Sequence, residues 1–121
     1  LIISPFIDPK DPDFEKHIEN GMLSIVQELN KAGLSTVDSC HGHFQYGDNP
    51  HVTFVIDDVS QYSGIHQKLK SPFNTIQLLP AWFPHEAPFN NWYVFVNFNN
   101  LTYWFAKYTF LRGIKRYMND K

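Results

Sequence analysis

A single α+β domain, with one mainly antiparallel sheet and helices packed on one face, is the fold this chain predicts. Three observations carry that expectation. Apolar residues recur at three- and four-residue spacing in three stretches and alternate with period two in four others. The two patterns follow one another as α-β-β-α-β-β-α. Two ββ units, each beside a helix, can share one sheet whose apolar face the helices cover.

The first helix opens at Asp11-Pro12-Asp13, where Asp11 suits the N-cap and Pro12 the first helical position. Phe14, Ile18, Met22, Ile25, Val26 and Leu29 give one apolar stripe, and Gly33 ends it. Strands follow at Leu34 to Ser39 and His51 to Asp57, with Gly42, Gly47 and Asp48-Asn49-Pro50 as turn chemistry between them. Asp58 with Gln61 three residues on forms a capping box for a helix. Val59, Tyr62, Ile65 and Leu69 are its expected buried stripe, and Ser71-Pro72 stops it.

Thr75 to Leu79 reads as a third strand. Pro80 to Asn91 holds three prolines and reads as an aromatic loop capping the core. Trp92 to Phe98 is apolar on both faces, as a central strand requires. Asn99 or Asn100 caps a last helix with Leu101, Trp104, Phe105, Tyr108, Leu111, Ile114 and Met118 as its expected buried stripe. Lys107, Arg112, Lys115 and Arg116 lie largely off that stripe and read as a solvated basic face. Cutting the ferredoxin-like βαββαβ order elsewhere in its cycle gives αββαββ, so a permuted variant of that fold fits.

Composition narrows the class. The 121 residues suffice for one domain, 1–121, without disulfides, and 43% hydrophobic with 18% charged content excludes a disordered chain. A net charge of −2 gives no general polyanion-binding signal, so nucleic acid is a disfavoured partner. One cysteine makes no internal disulfide, and no apolar run is long enough to span a bilayer. The start at Leu1 rather than Met points to a trimmed terminus, and LIISPFIDPK lacks the regions of a signal peptide. The expectation is a cytoplasmic domain with no membrane partner.

The chemistry concentrates in Ser35 to Asp57, which holds the only cysteine and three of the six histidines. A hairpin that pairs Val37 with Phe54 sets Asp38 opposite Thr53 and Cys40 opposite His51, with Cβ atoms roughly 5 Å apart. His41 and His43 then lie in the loop above. Three mechanisms compete. Cys40, His43 and His51, with His41 as a weaker candidate, could ligate zinc with an open position. Cys40 could be a nucleophilic thiol activated by His43 or His51, with Asp38 orienting the imidazole. Cys40 could equally be a small buried residue, with the histidines bonded to loop backbone.

Two resemblances bear on the same residues. Ser39-Cys40-x-Gly42, preceded by Thr36 at a strand end, resembles the Ser-Cys-Ser-Gly-Arg signature of the tRNA wybutosine-synthesising methyltransferase family. That resemblance implies S-adenosylmethionine and a modified guanosine, although His43 stands where the family has arginine. The Ser-Cys-x-Gly-His pattern followed by Pro50-His51-Val52-Thr53-Phe54 resembles small uncharacterised bacterial and phage proteins, which implies no activity.

The sharpest functional expectation is a pocket at the hairpin mouth built on Asp38, Cys40, His43 and His51, acting on a small or nucleotide-like substrate. A non-catalytic binding module is the alternative. In it, Tyr93 and Phe95 would stack bases on a sheet face, or Trp82 to Phe89 would contact a protein.

Overall fold

The computed structural model describes residues 20–42, 49–80 and 92–120. Helix α1 spans Asn20–Lys31, β1 Ser35–Cys40 and β2 His51–Ile56. After a 3-10 turn at Val59–Gln61 come α2 Tyr62–Leu69, β3 Asn74–Pro80, β4 Trp92–Phe98 and α3 Tyr103–Asn119. Every strand pairing is antiparallel, and the sheet order is β1-β2-β4-β3. That order is the one a cyclic permutation of βαββαβ produces. Phe14, Ile18 and residues 81–91, expected as an aromatic loop, lie outside the described residues.

Each α1 stripe residue within those bounds, Met22, Ile25, Val26 and Leu29, is fully buried. Gly33 takes φ 83°, which lets the Leu34 N–H reach back to the Leu29 carbonyl at 2.9 Å and close the helix. The Asn30 side chain then accepts from the Thr36 N–H at 3.0 Å, tying the helix end to the start of β1. At the next junction Asp58 accepts from Ser60 N–H at 3.0 Å while Gln61 accepts from Asp58 N–H at 3.1 Å. The capping box therefore starts the 3-10 turn that feeds α2.

All three helices cover one face of the sheet. Val52, Phe54 and Ile56 of β2 and Val94, Val96 and Phe98 of β4 form a core with Ile65 and Leu69 of α2 and Phe110 and Ile114 of α3. Strand β4 is central, between β2 and β3, as its two apolar faces require.

Three sequence expectations need correction. Val59 is exposed rather than part of the α2 stripe, because the first turn is 3-10 and its phase differs from that of the helix beyond. Val37 does not pair with Phe54; Thr36 does, and the ladder shifts by one residue before Asp38. The largest difference is the phase of α3. Its buried residues are Ala106, Phe110, Gly113 and Ile114, whereas Leu101, Trp104, Phe105, Tyr108 and Met118 are exposed. Close packing selects that face. A Cβ on Gly113 would run into the Lys68 carbonyl and come within 3.1 Å of Leu69, so α2 and α3 touch backbone to backbone there.

Candidate functional site

The bulge in β1 decides where the candidate residues point. Thr36 pairs with Phe54, a core residue, and its hydroxyl turns toward Asn30 of α1. Simple alternation would send Asp38 to the core as well. The extra residue at Val37 resets the phase, so that Asp38 pairs with Thr53 and Cys40 with His51 on the face away from the helices. Two rows then cross that face. One runs Cys40, His51, Asn97, Thr75, and the other Asp38, Thr53, Phe95, Gln77.

His51 is held on several sides. Its Nδ1 lies 3.0 Å from the Asn49 carbonyl, which only accepts, so Nδ1 carries the hydrogen and donates. Its Nε2 faces Asp38 Oδ2 at 3.7 Å. The ring also lies 5.5 Å from that of Phe95, tilted against it. The Asp38 side chain is 5% exposed and that of His51 23%, so the imidazole is the partner a ligand can reach. Thr53 sits beside them, 1% exposed, and its hydroxyl has no hydrogen-bond partner among the described residues.

Cys40 is half-buried and forms no disulfide, and its Sγ accepts from the Gly42 N–H at 3.4 Å. Gly42 takes φ 98°, so the turn brings that N–H back onto the sulfur. Such a contact strengthens when sulfur is thiolate, as charge-assisted hydrogen bonds do. His41 points the other way. Its ring meets Tyr103 edge-on at 6.3 Å and packs on Gly21, where a Cβ would fit only if the His41 ring moved. His43 lies outside the described residues.

Next to this cluster lies an open cleft of about 190 Å³, bordered by Asn49, Pro72, Phe73, Asn74, Thr75, Asn97, Phe98 and Asn99. Asn49 holds the His51 ring and Asn97 is the cross-strand neighbour of His51, so cleft and cluster share a wall. Asn74 and Asn99 are committed to backbone: Asn74 bridges Ser71 N–H and the Leu69 carbonyl, and Asn99 accepts from Leu101 and Thr102 N–H.

Sequence reasoning brought Asp38, Cys40 and His51 together but missed Thr53, Asn49 and Asn97. A threonine amid the apolar residues of His51 to Ile56 was the available signal for Thr53. The asparagines gave none, since Asn in a loop is ordinary turn chemistry. Tyr93, expected on an open stacking face, is 4% exposed. Among the described residues no group of three or more His, Cys, Asp or Glu is arranged to hold a metal ion. Nor is any described helix long and apolar enough to cross a membrane.

No protein-family model matches the chain, and no curated protein or solved structure matches it either.

Proposed function

We propose that the mouth of the β1–β2 hairpin binds a small, nucleotide-like substrate on which His51 transfers a proton, with Asp38 as its positioning residue. The observation that carries this reading is the placement of one ring: Nδ1 is held on the Asn49 carbonyl, and Nε2 faces a buried carboxylate 3.7 Å away. An imidazole fixed in this way keeps one tautomer and one orientation, which lowers the reorganisation a proton transfer demands. Contacts of this kind commonly tighten from an open distance when ligand binds. The side-chain amides of Asn49 and Asn97 supply both donors and acceptors, as the edge of a heterocyclic base requires. Cys40, directly opposite His51 in the ladder, would flank the bound ligand. The Ser39-Cys40-x-Gly42 resemblance points toward the same substrate class.

The test is a thermal-shift and NMR titration of the wild type with nucleosides and mononucleotides, beside His51→Gln and Asn97→Ala. At least one compound should raise the Tm of the wild type and perturb amides around His51 and Asn97, with both effects reduced in the variants. No shift with any compound, or an equal shift in both variants, overturns the reading. Elemental analysis of protein purified without chelators, wild type beside Cys40→Ser, decides the zinc alternative. Near-stoichiometric metal that is lost in the variant would replace proton transfer by metal chemistry.

A further inference from the structure

The corrected phase of α3 leaves a face unlike any other among the described residues. Leu101, Trp104, Phe105 and Tyr108 are 85, 81, 66 and 59% exposed. Spaced three and four apart, they line up along the start of the helix. Continuing the same spacing from Tyr108 leads to Arg112, Lys115 and Arg116, so one face is aromatic in its first turns and cationic in its last. Between Tyr103 and Asn119 there is no acidic residue. The positive charge is local, in a chain of net charge −2.

Rings and cations are interleaved. Lys107 Nζ lies 5.8 Å from the centre of the Trp104 ring, and the Arg112 guanidinium carbon 5.7 Å from that of Tyr108. Arg116 also donates to the Lys68 carbonyl at 3.3 Å, and Asp120, just past the helix, is paired with Lys68. Lys107 and Arg112 remain as the cations beside the rings, and Lys115 follows Arg112 on the same exposed face.

Charge complementarity selects the occupant. A second copy would offer these cations no counter-charge, because the face carries no acidic residue of its own. A lipid surface would need the cations along the flanks of a continuous apolar stripe, whereas Arg112 and Lys115 stand on the stripe itself. A single nucleic-acid strand offers what the face lacks: flat bases for Trp104 and Tyr108, and phosphates for the neighbouring cations. We infer that α3 is a docking face for single-stranded nucleic acid. This inference is independent of the pocket at the hairpin mouth.

Fluorescence anisotropy with end-labelled oligouridylate and oligothymidylate of about 12 nucleotides tests it. The matching duplex, phosphatidylserine vesicles and polyglutamate serve as competing probes. Single strands should bind with log K falling against log salt at a slope of about −2. Trp104→Ala and Tyr108→Ala should each weaken binding about ten-fold, Trp104→Phe should largely restore it, and Arg112→Gln should flatten the slope. Tm should hold in all of these variants, because the side chains are exposed. The inference is overturned if single strands do not bind, or if the two alanine variants bind like wild type. Equal or tighter binding of duplex, vesicles or polyglutamate also overturns it.

Discussion

Asp38 Oδ2 and His51 Nε2 face each other at 3.7 Å across adjacent strands, and a one-residue bulge at Val37 is what turns the carboxylate toward the ring. The distance is too long for a hydrogen bond and short enough for electrostatic coupling. The pair is ionic only when the imidazole is protonated, so a double-mutant cycle with Asp38→Asn and His51→Gln should give a coupling of about 0.5–1 kcal/mol in urea unfolding at mildly acidic pH. Strict additivity of the two single variants would mean that the groups do not interact.

Thr53 carries a hydroxyl in a nearly solvent-free place with no hydrogen-bond partner among the described residues. Valine has the same shape without the polar atom. Thr53→Val should therefore raise stability by about 1 kcal/mol, read from the shift in denaturation midpoint. A loss of stability would show that the hydroxyl is satisfied in solution, for instance by water.

Two helical glycines should respond in opposite senses. A methyl at Gly64 meets nothing within 4 Å, so Gly64→Ala should stabilise by about 0.5–1 kcal/mol through helix propensity alone. A methyl at Gly113 meets the Lys68 carbonyl, which is backbone and cannot move aside as a side chain would. Gly113→Ala should cost about 1–3 kcal/mol and force α2 and α3 apart. Thermal unfolding of the pair checks both signs, and a stabilised Gly113→Ala would contradict the close helix contact.

Tyr103 donates to the Gly21 carbonyl, with Met22 Sδ 3.0 Å from the same hydroxyl, locking α3 onto α1. Burial pushes its phenol well above the ordinary value of 10.0. Below pH 10 the folded and unfolded states both hold the proton, and this group adds no pH dependence. Above pH 10 the unfolded chain releases it while the folded chain retains it, so stability falls as pH rises. Unfolding free energy measured from pH 8 upward should show that decline in wild type and a shallower one in Tyr103→Phe. The variant's slope should not vanish, because burial also raises Tyr62 and Tyr117. Equal slopes would mean that Tyr103 is not buried in solution.

The sequence by itself determined the element order, because period-two and three-to-four-residue patterns are local and each element's caps sit beside it. Asp58 with Gln61 and the glycine at 33 were legible for that reason. The pairing of Asp38 with Thr53 and of Cys40 with His51 was expected only as part of a register that set Val37 opposite Phe54, and the ladder keeps the first two pairs but not the third. The tertiary structure alone decided the bulge at Val37, which reconciles a core-facing Thr36 with an outward Asp38 and has no local signature. It alone assembled Asn49, Thr53 and Asn97 around His51, because they come from a loop and two strands that only the sheet brings together. It alone decided the phase of α3. Counting apolar residues favours the face with Trp104, Phe105 and Tyr108, but the buried face is the one that fits against α2, and there the backbone of Gly113 had to come close.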